Sequence, residues 1–153
     1  MDSLRLEKGY RHLGHDIGAS DDPYSAGLGF AVDLNKDAEF IGEKALRKLD
    51  RSAPKHRTVH VAIEDPNVMF VHDESVMVAG ERVGRLTSGG FGHTMGRSVG
   101  IAAIDPSISV DSQFTVRCKG KDYPLTVSAK PFYDPGNLRM IDAEEVGDAH
   151  ARS

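Results

Sequence analysis

The hydrophobic pattern changes period near the middle of the chain. Beyond residue 57 the apolar positions alternate with polar ones or form short unbroken runs, the signature of strands with one or two buried faces. Residues 58–63 alternate and are β-branched. Residues 75–78 and 82–87 flank Ala79-Gly80-Glu81, and residues 113–118 and 123–129 flank Lys119-Gly120-Lys121, so each pair has the form of a hairpin. Residues 98–104 are almost wholly apolar, as in a strand covered on both sides. Pro124 lacks an N–H and is expected near a strand edge or start. Six short strands at this spacing, with no long helix among them, predict a small barrel or sandwich.

The leading third reads differently. Residues 3–10 predict a helix with Leu6, Tyr10 and Leu13 on one face; a stop at Gly9 with residues 10–13 extended fits equally well. The chain enters this helix at once, as if more sequence preceded it. Gly14, Gly18, Asp21, Asp22 and Pro23 predict a loop. Residues 28–34 are apolar enough for a buried strand. Asp37 is placed to cap a helix over 39–49, with Ile41, Ala45 and Leu49 on one side. Residues 51–57, interrupted by Pro54, predict a linker between a unit at 1–50 and the β unit at 58–140, and 141–153 a disordered tail.

With 153 residues and a formal net charge of −4, the chain fits one domain, or a small domain and part of another. Interspersed charges of both signs argue against a general nucleic-acid or membrane surface. No apolar run is long enough to span a bilayer, and no targeting signal opens the chain. Cys118, the single cysteine, cannot form an internal disulfide, which suits a reducing compartment.

Candidate chemistry is sparse. The glycine-rich stretch 88–96, SGGFGHTMG, matches neither phosphate-binding fingerprint and predicts a connection lying close to a neighbouring domain. His12 with His15, and His56 with His60, have spacings that a helix could use for a metal, but glycine and strand periodicity oppose a helix at both places, so no metal site is expected. No nucleophile elbow is present, and Cys118 in a strand is expected to be inert packing. Glu7 is the sharpest feature. A carboxylate on the inner side of a helix is costly unless paired. Arg5 and Arg11 could satisfy it; alternatively it could accept two N–H bonds from the edge of an aminopyrimidinone ring.

Three ordered segments, SLRLEKGYRHLGHDI, DPYSAGLGFAVDLNK and FIGEKAL, followed by GRLTSGG, VGIAAI and Lys130-Pro131-Phe132, resemble the aminomethyltransferase family, the T-protein of the glycine cleavage system and its relatives. The spelling is closest to the folate-binding C-terminal region of dimethylglycine and sarcosine dehydrogenases. The resemblance runs to about Asp134. It implies an α+β chain: the tail of a folate-binding domain, then a six-stranded antiparallel β-barrel. It implies one-carbon transfer to tetrahydrofolate as co-substrate, with Glu7 on the pterin edge, Lys36 near the glutamyl tail and Phe30 lining the pocket. Lys36 stands where T-proteins carry Arg and lacks the bidentate fork. The family's catalytic Asp lies upstream of the LRLE motif, so no catalytic residue is expected in this chain and no turnover by it alone. FAD would belong only to an upstream domain. The implied partners are tetrahydrofolate and the rest of the folate domain, and the implied compartment is the bacterial cytoplasm or the mitochondrial matrix. Two rivals remain: a non-catalytic folate-binding protein and a plain β-barrel interaction module. The Lys-x-Cys-x5-Gly signature of family members that maintain iron–sulfur proteins is not found around Cys118.

Overall fold

The computed structural model describes residues 2–139; the expected tail at 141–153 lies outside them. A short helix, α1 (Asp2–Lys8), opens the chain. Six antiparallel strands follow the irregular segment: β1 (Arg57–Ala62), β2 (Ser75–Val78), β3 (Glu81–Gly92), β4 (Arg97–Ile104), β5 (Phe114–Cys118) and β6 (Lys121–Ser128). They close into a barrel in the order β1-β4-β3-β2-β5-β6, so no strand edge is left free. The seam is the β6 to β1 pairing, where His60, Val61 and Ala62 face Ser128, Val127 and Thr126. Pro124 precedes this seam and pairs only with Thr115 of β5, as its missing N–H requires.

Alternation along the strands sorts the side chains into two cores. Val59 and Val61 point into the barrel with Leu86, Ala102, Ile104, Val116 and Leu125, and Phe70, fully buried, joins them from the β1–β2 connection. The opposite face of β1 and β4 offers Ala62, Val99 and Ile101 to Leu6 of α1. β4 is thus covered on both sides, as its apolar run predicts.

In the leading segment the stop at Gly9, one of the two readings above, is what forms, and two other expectations fail. α1 ends at Lys8, and the chain turns at Gly9. Gly9 has φ +71°, and a Cβ there would lie 2.3 Å from the His60 ring, so only glycine fits. Tyr10 and Leu13 therefore leave the Leu6 face and are exposed. The buried strand expected over 28–34 is instead a 3-10 turn, Gly29–Ala31, with no ladder partner and Phe30 86% exposed; apolar content alone misled there. The helix expected over 39–49 shrinks to α2 (Glu43–Leu46), no side chain caps it, and Ile41 is fully exposed. Among the described residues neither stretch has a neighbouring layer to pack on, and tertiary burial supplies most helix and strand stability.

Candidate functional site

Four consecutive residues of α1 fasten four different parts of the molecule. Arg5 donates from Nη1 to Asp16 Oδ2 at 3.0 Å and to the Tyr10 carbonyl at 3.1 Å. Leu6, 3% exposed, packs on the outer face of the barrel, a burial worth about 1.5–3 kcal/mol. Glu7, 2% exposed, points into the β3–β4 turn, where its Oε1 accepts the backbone N–H groups of Thr94 at 2.7 Å and Met95 at 3.1 Å. Lys8 donates from Nζ to the Asp134 carbonyl, to its carboxylate and to Asn137 Oδ1 at 2.6 Å, tying down the chain beyond the barrel.

Glu7 is therefore satisfied by barrel backbone; among the described residues neither Arg5 nor Arg11 bonds to it. Arg11 spends its donors on the carbonyls of Gly9, Ala26 and Gly27. The close approach depends on Gly92: a Cβ there would lie 3.0 Å from Glu7 Oε1 and 3.0 Å from Val99. This is the physical use of the glycine-rich stretch. Residues up to Gly92 are strand β3 and the remainder is the turn that receives Glu7.

Beside this clasp lies a buried polar cluster that periodicity does not reveal. Asp16, 4% exposed, accepts from Arg5, from the His12 backbone N–H at 2.8 Å and from the Thr87 hydroxyl. Thr87 belongs to β3, at the bulge between Leu86 and Ser88. His60, on the outer face of β1, is 2% exposed and its Nδ1 has no hydrogen-bond partner among the described residues. Burial, reinforced by the neighbouring Arg11 charge and only partly opposed by Asp16, pulls its pKa down to about 4, so the ring is neutral at pH 7. Burial likewise lowers the Arg11 pKa, with Asp16 opposing. The only sequence signal for His60 is its place between Val59 and Val61, which turns it to the α1 side.

The histidines of the leading loop meet one from the barrel. The His12 and His15 rings stack with centroids 4.8 Å apart, and His72 lies 6.3 Å from His15. Together with Arg5, Thr87 and Ser88 they line a shallow depression of about 200 Å³. No group of three or more potential ligands among the described residues could hold a metal ion. Cys118 is buried in β5, and burial with the nearby Glu74 charge raises its pKa, which favours the protonated thiol.

Phe30 and Lys36, the other two residues expected at a folate pocket, lie on the irregular segment. Phe30 projects outward from the 3-10 turn and is not part of this chain's core. Lys36 is exposed, its Nζ 4.5 Å from the centre of the Phe40 ring. Among the described residues no hydrogen bond, ion pair or cation–π contact joins Glu7, Phe30 and Lys36.

The family comparisons agree with this architecture. Residues 56–134 match the profile of the glycine cleavage T-protein C-terminal barrel domain, and residues 1–36 match that of the GCVT N-terminal domain. The chain is 59% identical over 140 residues to a 4-methylaminobutanoate oxidase (formaldehyde-forming) of Paenarthrobacter nicotinovorans, covering 92% of this chain and 17% of the oxidase. It is 33% identical to the mitochondrial dimethylglycine dehydrogenase of Mus musculus, covering 92% of this chain and 16% of that protein. It is 35% identical to an aminomethyltransferase of Synechococcus sp. (strain CC9902), over 86% of this chain and 36% of the transferase. The crystal structure of the glycine cleavage system aminomethyltransferase T from Bartonella henselae superposes with a TM-score of 0.76 at 28% identity, over 88% of this chain and 38% of that one. The chain thus spans about a sixth of the oxidase and the dehydrogenase and just over a third of the transferases. With a family barrel matched over more than half its residues, preceded by a matched piece of the adjoining domain, this chain belongs to the glycine cleavage T-protein family.

Proposed function

We propose that the intact protein transfers a one-carbon unit to tetrahydrofolate, and that this chain supplies the barrel and one wall of the folate pocket. By their names, an oxidase that forms formaldehyde, a dimethylglycine dehydrogenase and an aminomethyltransferase all act where a carbon is carried on an amine nitrogen. Membership of the T-protein family supports tetrahydrofolate as the acceptor of such a carbon. The observation that carries the reading is Glu7. It is a buried acid on α1 whose Oε1 is held by two backbone N–H groups, while its Oε2 accepts no hydrogen bond among the described residues. Fixed in this way, Oε2 is oriented to accept an N–H from the pterin edge.

Phe30 and Lys36 would complete the wall, one against the apolar ring edge and the other near the glutamyl carboxylates. The contribution of these residues is binding and orientation, which convert a bimolecular encounter into a positioned one. The proton-transferring acid and any FAD-bearing dehydrogenase unit belong to other parts of the intact protein, in the bacterial cytoplasm or the mitochondrial matrix.

The test is a titration of the intact protein with a stable reduced folate, 5-formyltetrahydrofolate. Glu7→Gln keeps an acceptor at Oε1 for the turn but replaces Oε2 with an NH₂ that cannot accept. We expect it to weaken binding by at least about tenfold, the equivalent of one charge-assisted hydrogen bond. Unmodified protein that binds while Glu7→Gln binds equally well would remove Glu7 from the pocket. Absence of binding by the unmodified protein would leave the plain interaction barrel as the reading.

A further inference from the structure

The two oxygens of Glu7 have different neighbours, and this has a thermodynamic consequence for the folate site. Oε1 belongs to the barrel, through the N–H groups of Thr94 and Met95, while the backbone that carries Glu7 belongs to α1. The carboxylate is thus the joint between the turn at residues 93–96 and the helix. Gly92 is close enough that a methyl group added there would press on Oε1. Among the described residues the turn has no second polar hold of comparable quality on the helix: the His93 N–H reaches Ser3 Oγ only at 3.4 Å.

Resting on the folate reading above, we propose that Glu7 links ligand binding to docking of the β3–β4 turn, so that reduced folate on Oε2 locks the turn and an undocked turn weakens the folate site. The physical reason is shared order. A glutamate loses substantial rotamer freedom when it is fixed. With the turn docked, Glu7 already stands in one rotamer, and a ligand donor to Oε2 meets an oriented acceptor. With the turn lifted, the carboxylate is mobile, and the same ligand must order it. Two events that require one arrangement of one side chain favour each other, and the coupling is reciprocal.

Two measurements on the intact protein test this. The first is hydrogen–deuterium exchange of the segment containing Thr94 and Met95, with and without 5-formyltetrahydrofolate. Exchange there should slow by about fivefold or more on ligand addition and should not respond to ligand in Glu7→Gln. The second is the folate affinity of Gly92→Ala, whose added methyl would meet Glu7 Oε1 at 3.0 Å and its Cγ at 3.2 Å, and would also touch Val99. Its affinity should fall by about fivefold or more, with barrel exchange at β5 and β6 unchanged. Folate binding by the unmodified protein, combined with unaltered exchange at 93–96 and full affinity in Gly92→Ala, would overturn the linkage and leave the folate reading standing. No binding by the unmodified protein would overturn both.

Discussion

The barrel and the segment that precedes it are built on opposite principles. Between Arg57 and Ser128 every strand has two hydrogen-bonded neighbours, and a continuous apolar cluster fills the interior. Between Lys8 and Arg57 the described chain holds one four-residue helix and one 3-10 turn, and contributes Ala26 as its one buried apolar residue. What holds it is polar and specific. Asp16 reaches Thr87, Lys55 donates its backbone N–H to the fully buried Ser25 at 3.0 Å, and Thr58 Oγ1 donates to the Ser25 carbonyl at 2.9 Å. A barrel secures itself through non-directional burial. A segment without a core must instead be pinned at points, and each pin is a place where a single change matters locally.

Breaking the barrel should have the largest effect. Phe70→Ala removes a fully buried ring that lies against Gly89 and Gly100, and a loss of about 3–5 kcal/mol is expected for such a cavity. Urea unfolding should show a lower midpoint, with the β signal by circular dichroism lost in one transition. The next effect concerns the boundary between the two regions. His60 has a folded pKa of about 4 against 6.5 for the free ring, so the unfolded chain binds the proton more readily. Its contribution is full above pH 6.5 and is lost as pH falls toward 4, up to about 3 kcal/mol. Midpoints measured across that window should fall with pH, and His60→Gln should flatten the slope. The smallest of the three is confined to the leading segment. Asp16→Ala leaves the His12 N–H without its acceptor and removes one of two acceptors each from Arg5, which keeps the Tyr10 carbonyl, and from the Thr87 hydroxyl, which keeps that of Ile101, at about 2 kcal/mol. Amide exchange should quicken over residues 10–17 while β1 and β4 keep their protection. Global unfolding of the barrel by this change would erase the distinction drawn between the regions.

The same contrast explains what could be read from the amino-acid order. Strand periodicity is local, so the hairpins around Gly80 and Gly120 and the doubly covered run of β4 were legible, with β2 matching at both ends. β3 runs on to Gly92 because α1 and Phe70 lie against glycines that strand propensity discounts. The leading segment was legible as an ordered spelling and not as structure. Residues 28–34 and 39–49 have the right apolar content, but without a layer beside them that content does not become a strand or a long helix. The acid at position 7 was visible as an anomaly. Its partners were not, since two backbone N–H groups more than eighty residues away carry no sequence signature. For the same reason Asp16, Thr87 and His60 could not be grouped in advance.

The seam between β1 and β6 has a consequence for how the molecule is made. Within the barrel β1 is the first strand to leave the ribosome, and β6 is the last of those described. The β6 side of the β1 ladder, three of its nine pairs, cannot form until residues 126–128 have emerged, some sixty-five positions later. Until then an apolar strand carries an open edge, and its nearest lasting partner, β4, also comes late. Synthesis therefore passes through an interval in which the nascent chain is most open to pairing with the wrong strand, and that interval ends only when the ring shuts.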